Sequence, residues 1–555
     1  MSGVKFNRTS VRFRRWAFLG LLLATTGVSP AIHAAEPLSL EQLQERLDQL
    51  EQDNNQLRER LDVMESDALS EAVEHETDLV FQENEMPPVV SEDQVREVVS
   101  GMMQTQSAAD HQFDYAQEQK IISLEKSFKD FVAKANTKKY PTAVLYGVFQ
   151  ADAGWFDQDQ GSRSDYGPIS SGADIRRFRL GAKGQITEHT NYAMQVDFGF
   201  FGRPTIQDLY VEQTDVPIFG NVRVGQWKQP FSLEVVSSFR YTTFMERSVL
   251  FQAFTPFRHL GVGFYDWTDD LNMTYAASVF AAGQDQYAGS MSLSGGYASA
   301  ERITYLPMWE CDGHEYVHLG LGHYFSTPNN HVTNLRTLPE AFIGTNPAST
   351  GTSGQGVSGS QNGTPFFVST GNIYIDCFNV IGTEFLWVNH RWSLQSETMV
   401  NFVSTRDHAA DAVFSQTNQG TAILPGTYAQ LGYFLTDDYR PYDRKAGAID
   451  RIIPKHSMAF CNGNCCSPGW GAWEVAARFS YLDLNANNAT NVRGGNITDY
   501  TLGLNWYTTP YTKLVFNYVH SVSDPGTAPI GTPPYILNTN RANTNIFMTR
   551  MQVDF

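Results

Sequence analysis

The sequence predicts an all-β fold, a transmembrane antiparallel β-barrel of about 16 strands (about 18 as the alternative), with an N-terminal α-helical coiled coil. Three observations lead to this prediction. The chain begins with an export signal, it alternates apolar and polar residues from Pro141 onward, and it ends on an amphipathic aromatic strand. Its 555 residues are enough for one very large barrel.

Residues 1–34 are typical of a signal peptide. Basic residues from Lys5 to Arg15 precede an apolar run from Trp16 to Ala24, and small residues allow cleavage after Ala34. The apolar run is shorter than the roughly 20 residues that a spanning helix needs. We therefore expect the mature chain to leave the cytoplasm and to enter a membrane only with strands.

A heptad pattern occupies residues 36–69, with Leu40, Leu47, Asn54 and Leu61 at the a positions. Asn54 is expected to set the helix register, so this segment predicts a periplasmic coiled coil and a homo-oligomer. A single amphipathic helix is the alternative. Residues 70–139 are predicted to be an acidic linker with short helices.

Residues 140–555 have the pattern of β-strands, as where Val475, Phe479 and Tyr481 alternate with polar or small residues. Short turns such as 187–190 recur, and so do long polar stretches such as 326–371. Short turns at one rim and long loops at the other are typical of outer-membrane barrels. A large soluble all-β protein shares the alternation but does not account for the export signal.

The last strand, residues 545–555, has one apolar face that includes Phe547, Met551 and Phe555 and one polar face with Arg550 and Asp554. Such a strand needs a partner at both edges and an apolar medium on one side. A closed barrel in a bilayer provides both, whereas the alternative is an edge strand of a soluble sandwich.

The sequence predicts no catalytic residues, no metal site and no cofactor, and hence no enzyme. No nucleophile motif or nucleotide-binding loop occurs, and the histidines lack metal-ligand spacing. Of the five cysteines, Cys461, Cys465 and Cys466 lie in a predicted loop that contains Gly463, where disulfides are favoured over metal ligation.

The strand at residues 175–184 carries the clearest charged pattern. Arg177, Arg179 and Lys183 fall on one face, which should point into the lumen because cations are costly on the lipid face. Arg176 falls on the other face, so it needs a rim position or a β-bulge. Guanidinium groups match the geometry of oxyanions, which predicts an anion site; pairing with neighbouring carboxylates is the alternative.

Residues 222–259 predict a strand followed by an inward-folded loop. The loop, residues 237–259, has too many aromatic residues for a free surface loop, and its Arg240, Arg247 and Arg258 outnumber the one local acid, Glu246. Lys228 near the end of the preceding strand is a further candidate site residue. We expect the loop to narrow a pore. The alternative is a rim loop packed against a neighbouring subunit.

Several segments resemble the phosphate-selective porin O and P family, including residues 174–181, 206–212, 224–234 and 244–249. The resemblance spans roughly residues 140–555. It implies a trimer of 16-stranded barrels with a constricting third loop and arginine-rich lumens, in which Arg176, Arg177 and Arg247 are pore arginines. This chain departs from the family pattern at Val148, where phosphate-specific members have an arginine. The departure argues against strict selectivity for phosphate.

The sequence therefore predicts a porin of the cell outer membrane, a passive channel for small hydrophilic solutes with a preference for phosphate or another oxyanion. The predicted partners are small anionic solutes, outer-membrane lipid and further copies of the chain, with no nucleic acid. The alternative is a structural anchor that tethers the envelope through the coiled coil, with the cell wall as its partner.

Overall fold

The computed structural model describes Lys126 and residues 140–555, apart from 200–203, 283–295, 329, 343–363, 411–414, 459–468, 487–488 and 527–540. The predicted signal peptide, the coiled coil with Asn54, the three clustered cysteines and nearly all of the acidic linker lie outside the described residues. No helix among the described residues is long and apolar enough to cross a membrane.

Sixteen antiparallel strands form a closed barrel, as the sequence predicts. These wall strands are β1 (Val144–Gln158), β2 (Gly172–Thr187), β3 (Thr190–Asp197), β4 (Thr205–Val216), β5 (Gly220–Lys228), β6 (Arg258–Trp267), β7 (Met273–Ala281), β8 (Gly296–Glu310), β9 (Glu315–Pro328), β13 (Ile373–Asn389), β14 (Trp392–Thr405), β15 (Gly420–Phe434), β18 (Ala472–Asn485), β19 (Arg493–Thr509), β20 (Thr512–Asp524) and β21 (Ala542–Asp554).

The connections hold five two-residue strands, β10 (Val332–Thr333), β11 (Arg336–Thr337), β12 (Val368–Ser369), β16 (Tyr442–Asp443) and β17 (Ala448–Ile449). They also hold the helices α1 (Gln160–Tyr166), α2 (Leu233–Val236) and α3 (Leu250–Phe254), and the 3₁₀ helix Cys311–Gly313. Of the short strands, β10 pairs with the first two residues of β13. It is not counted among the sixteen strands of the barrel wall.

The last strand closes the barrel, because β21 pairs with β1 from Val148↔Asp554 to Gln158↔Thr544. Its apolar residues Phe547 and Met551 are exposed on the outer face, while Arg550 is buried inside. The terminal strand therefore has a paired strand on both sides and closes the barrel, so it is not an edge strand.

A β-bulge lies in β2 opposite β1. Gln150 pairs with Arg177, and the next residue of β1, Ala151, pairs with Ile175, so Arg176 is the extra residue. Both Arg176 and Arg177 are consequently buried inside, whereas Phe178 is exposed outside. Strict alternation would place Arg176 on the lipid face, and the bulge turns it into the lumen instead.

One connection breaks the arrangement of short turns at one rim and long loops at the other. Residues 435–471 join β15 to β18 at the rim where residues 390–391 form a tight turn. The part that we name the inner segment, residues 439–452, contacts inward-facing wall residues: Tyr316 Oη donates to the Arg440 carbonyl over 3.0 Å, and Arg302 donates to the Gly447 carbonyl over 2.8 Å. This insertion was not predicted from the sequence.

Candidate functional site in the barrel lumen

The third loop, residues 229–257 between β5 and β6, packs against the inner wall. Its side chains Phe231, Val249 and Leu250 share one buried apolar cluster with wall residues of several strands. Wall glycines leave room for this packing, since a Cβ at Gly382 would lie 3.0 Å from the Phe231 ring. The loop thus occupies space inside the barrel.

Hydrogen bonds to the far wall fix the position of the third loop. The backbone amides of Leu233 and Glu234 donate to the two carboxylate oxygens of Glu397 on β14, over 3.1 and 2.9 Å. On β19, Asn505 Nδ2 donates to the Thr243 carbonyl over 2.8 Å. These contacts satisfy backbone groups that a buried loop would otherwise leave unpaired.

Three arginines converge on Glu246 of the third loop. Arg176 donates twice to its carboxylate, over 2.9 and 3.0 Å, Arg550 donates over 2.7 Å, and Arg177 lies 3.9 Å away. Burial alone raises the pKa of the Glu246 carboxyl, but the three cations outweigh burial and lower that pKa well below its usual range. Glu246 therefore stays charged at neutral pH and ties the loop to β2 and β21.

Arg247 is held differently from its neighbours. Its Nε donates to the Glu234 carbonyl over 2.8 Å, its Nη2 donates to the Ser237 carbonyl over 3.3 Å, and its guanidinium lies over Phe251 and Phe257. Within the described part of the chain it forms no ion pair. Lys228 is similar, since its ammonium donates to the carbonyls of three loop residues, Val235, Val236 and Ser237.

Two cavities follow one another along the third loop, and Phe239 lines both. The first, which we name the narrow chamber, has a volume of about 30 Å³; its charged lining residues are Arg176, Arg177, Arg179, Arg247 and Glu246. The second, which we name the lower chamber, has a volume of about 510 Å³; its charged side chains are Lys183, Arg223, Lys228, Arg240, Arg258, Arg451 and Asp208. All eight cations predicted as site residues thus line one of the two chambers.

Carboxylates accompany several of these cations, so the predicted arginine cluster is not bare. Arg179 pairs with Asp197 at 2.6 Å, and Arg258 donates to Asp208 over 2.9 and 3.0 Å. The pairing is incomplete, however. Four of the arginines each keep one buried guanidinium N–H with no acceptor among the described residues: Arg177 Nε, Arg179 Nη1, Arg240 Nε and Arg258 Nη1.

Two cations of the lower chamber, Arg223 and Arg451, were not among the predicted site residues. Arg223 lies on β5 and alternates with apolar residues, so the rule that identified Arg177 would also have found it. Arg451 belongs to the inner segment, where no alternation exists.

Val148 faces inward and is 1% exposed, next to Gln150, whose side chain accepts a hydrogen bond from Arg177.

Comparisons with known proteins agree with this architecture. The family model described as phosphate-selective porin O and P matches residues 144–555. Porin O of Pseudomonas aeruginosa is 23% identical over 407 residues, which cover 70% of this chain and 85% of the relative. An uncharacterized protein of Caulobacter vibrioides is 26% identical over 431 residues, covering 74% of this chain and 73% of the relative.

Among solved structures, OmpT of Vibrio cholerae, in trimer form, is 12% identical with a TM-score of 0.42, and the match covers 75% of this chain and 99% of that one. The family match extends over nearly the whole described barrel and includes both chambers. The chain belongs to the phosphate-selective porin O and P family and is an outer-membrane porin.

Proposed function

We propose that this porin is a passive channel that prefers small anions to cations, with phosphate or another oxyanion as the preferred solute. The observation that carries the proposal is the charge of the two chambers. Four cations face one carboxylate in the narrow chamber, and six face one side-chain carboxylate in the lower chamber. An excess of fixed positive charge in a confined, low-dielectric passage attracts anions and opposes cations.

The unpaired N–H groups support an oxyanion as the preferred solute. A buried donor without an acceptor is costly, and an oxyanion offers several oxygen acceptors to planar guanidinium groups. One pair of such donors belongs to Arg177 and Arg179 in the narrow chamber, and the other to Arg240 and Arg258 in the lower chamber. Arginines in series along the two chambers allow an ion to move from site to site, which conduction requires.

The proposal is for oxyanions in general and not for phosphate alone. The inward-facing Val148 contributes no donor, and Gln150 beside it already accepts from Arg177. Because the family consists of channels, we propose transport and not catalysis as the role of the lumen.

Alanine at either Arg177 or Arg247 is expected to reduce the anion-over-cation permeability ratio by at least about threefold, because each change removes one fixed positive charge from the narrow chamber. The ratio is measured from zero-current potentials in planar bilayers under a potassium chloride gradient. Arg406→Ala is the matched control, since Arg406 is half-exposed, pairs with Asp376 and lines neither chamber. Equal ratios in all variants would contradict the proposed role of the two arginines.

We further propose that residues 36–69 form a periplasmic coiled coil that holds a trimer together, and we keep the cell-wall tether as the alternative for this segment. The heptad pattern around Asn54 supports the coiled coil. Deletion of residues 36–139 is expected to weaken the trimer in native electrophoresis and to leave the conductance of each barrel unchanged. A detached envelope with an intact trimer would instead favour the tether.

A further inference from the structure

A third cavity lies inside the barrel, beside the lower chamber. This side chamber has a volume of about 380 Å³ and is lined by residues of β5 to β8 and by Asp443, Lys445 and Ala446 of the inner segment. It adjoins the lower chamber, because Arg223, Trp227, Lys228 and Val236 line both. The two cavities are therefore neighbours in the lumen.

The side chamber has an aromatic wall. Trp227, Tyr265 and Trp267 line it, and the rings of Tyr265 and Trp267 lie 6.2 Å apart at 42°. The lining residues of the neighbouring strand β7 include the small side chains Ala276 and Ser278, and Ala276 pairs across the strands with Tyr265, so little covers the rings from that side. Such a wall offers apolar surface and ring faces, which inorganic phosphate cannot use but an aromatic ring can.

A cation stands at this wall. Lys445 Nζ lies 5.1 Å from the Trp267 ring centre, and within the described residues its ammonium has no carboxylate partner. The nearby carboxylate of Asp443 already accepts the backbone amides of Lys445 and Ala446, over 2.9 and 3.1 Å. The ammonium of Lys445 is thus available to an anionic group of a solute.

The other charged groups of the side chamber are engaged in the protein. Arg302 is paired with Glu384, and Arg223 is bound to Glu212 and lies over Tyr265. The Asp266 carboxylate accepts the backbone amide of Trp267 over 2.9 Å. Recognition of a solute therefore rests on the aromatic wall and on Lys445.

We infer that the side chamber binds aromatic carboxylates, with the ring against Trp267 and the carboxylate toward Lys445. The inference rests on the proposed anion preference and adds a class of organic solute to it. The volume suffices, since about 150 Å³ accommodates benzene and ligand sites usually start near 300 Å³. Benzoate satisfies both features of the chamber, whereas acetate satisfies only the charge.

The test is the block of chloride current by benzoate and by acetate in single reconstituted channels. In the wild type, the half-blocking concentration of benzoate is expected to be at least about tenfold below that of acetate. Trp267→Ala is expected to reduce this ratio by about fivefold, and Ala276→Leu, which adds a bulky side chain to the lining beside Tyr265, should also reduce it. The ratio is taken within each variant, so changes in conductance do not affect it.

Equal block by benzoate and acetate in the wild type would overturn the inference, and so would a ratio that neither substitution changes. The zero-current potential in a chloride gradient is recorded in the same bilayers. A potential of the sign set by potassium contradicts the proposed anion preference itself. A potential of the sign set by chloride, together with equal block, contradicts the side-chamber inference alone.

Discussion

Replacement of Arg247 by glutamate is expected to lower the anion-over-cation permeability ratio by about tenfold or more. The substitution changes the charged lining of the narrow chamber from four cations and one carboxylate to three cations and two carboxylates. The substitution changes the net charge of the chamber lining by two units. Because the chamber has a volume of only about 30 Å³, it leaves little room for water and salt ions that would screen this charge. The measurement is the zero-current potential in a potassium chloride gradient.

Local geometry strengthens the expected effect of Arg247→Glu. The present guanidinium donates to the carbonyls of Glu234 and Ser237, and a carboxylate at this position would be repelled by those oxygens and turned toward the chamber. Arg247→Gln is the control, because it removes the charge but retains an amide donor. An intermediate ratio is expected for glutamine. If glutamate leaves the ratio at its wild-type value, the charge of the narrow chamber does not set selectivity.

Arg440→Ala is expected to release the inner segment and to raise single-channel conductance. Arg440 and its partner Glu474 on β18 are both fully buried, and Arg440 also donates to the Tyr241 carbonyl of the third loop over 3.2 Å. Removal of one member of a buried ion pair costs about 3–5 kcal/mol. We expect a loss of stability at the lower end of this range, because Glu474 keeps hydrogen bonds from Asn505 and Tyr507.

Two measurements check this expectation, single-channel conductance and cleavage by trypsin after Arg444 or Lys445 in the inner segment. Arg391→Ala is the matched control, since Arg391 lies at the same rim and pairs with Asp437 on the exposed surface. An exposed ion pair contributes about 0–1 kcal/mol to stability. The control is therefore expected to have wild-type conductance and wild-type resistance to trypsin. Unchanged conductance and protection in Arg440→Ala would show that the ion pair does not hold the segment.

The wall of the barrel could be predicted from sequence because its signal is local. Alternation with a period of two assigns Phe547 and Met551 to the lipid face and Arg177 to the lumen from each strand alone. The bulge at Arg176 was one of two possibilities that the sequence offers, because two adjacent arginines in a spanning strand can both avoid lipid only with a bulge or at a rim position. The structure shows that bulge in the register of β1 and β2.

The partners of the charged residues could not be predicted, because they come from distant parts of the chain. Glu246 accepts from Arg176 and from Arg550, which are brought together only when the first and last strands pair. The third loop is fixed by Glu397, on the opposite wall. Such contacts depend on the barrel's closure and diameter, and no local pattern records them.

The inner segment escaped prediction for a different physical reason. A long connection at the short-turn rim departs from the usual layout of outer-membrane barrels, and its residues have neither a period of two nor a helical period. Its position depends on single contacts such as that of the Tyr442 hydroxyl with His318 Nδ1, 2.7 Å apart. The side chamber, which this segment helps to enclose, was accordingly not foreseen either.

The zero-current potential of the wild-type channel, measured in a potassium chloride gradient and again in a potassium phosphate gradient, tests the central claim most directly. The charge of the two chambers predicts a potential of the sign set by the anion in both salts. It also predicts that phosphate added to the chloride solution reduces the chloride current, because phosphate competes with chloride for the arginines that line the two chambers. A potential close to the potassium equilibrium value in both salts would contradict the proposed anion preference.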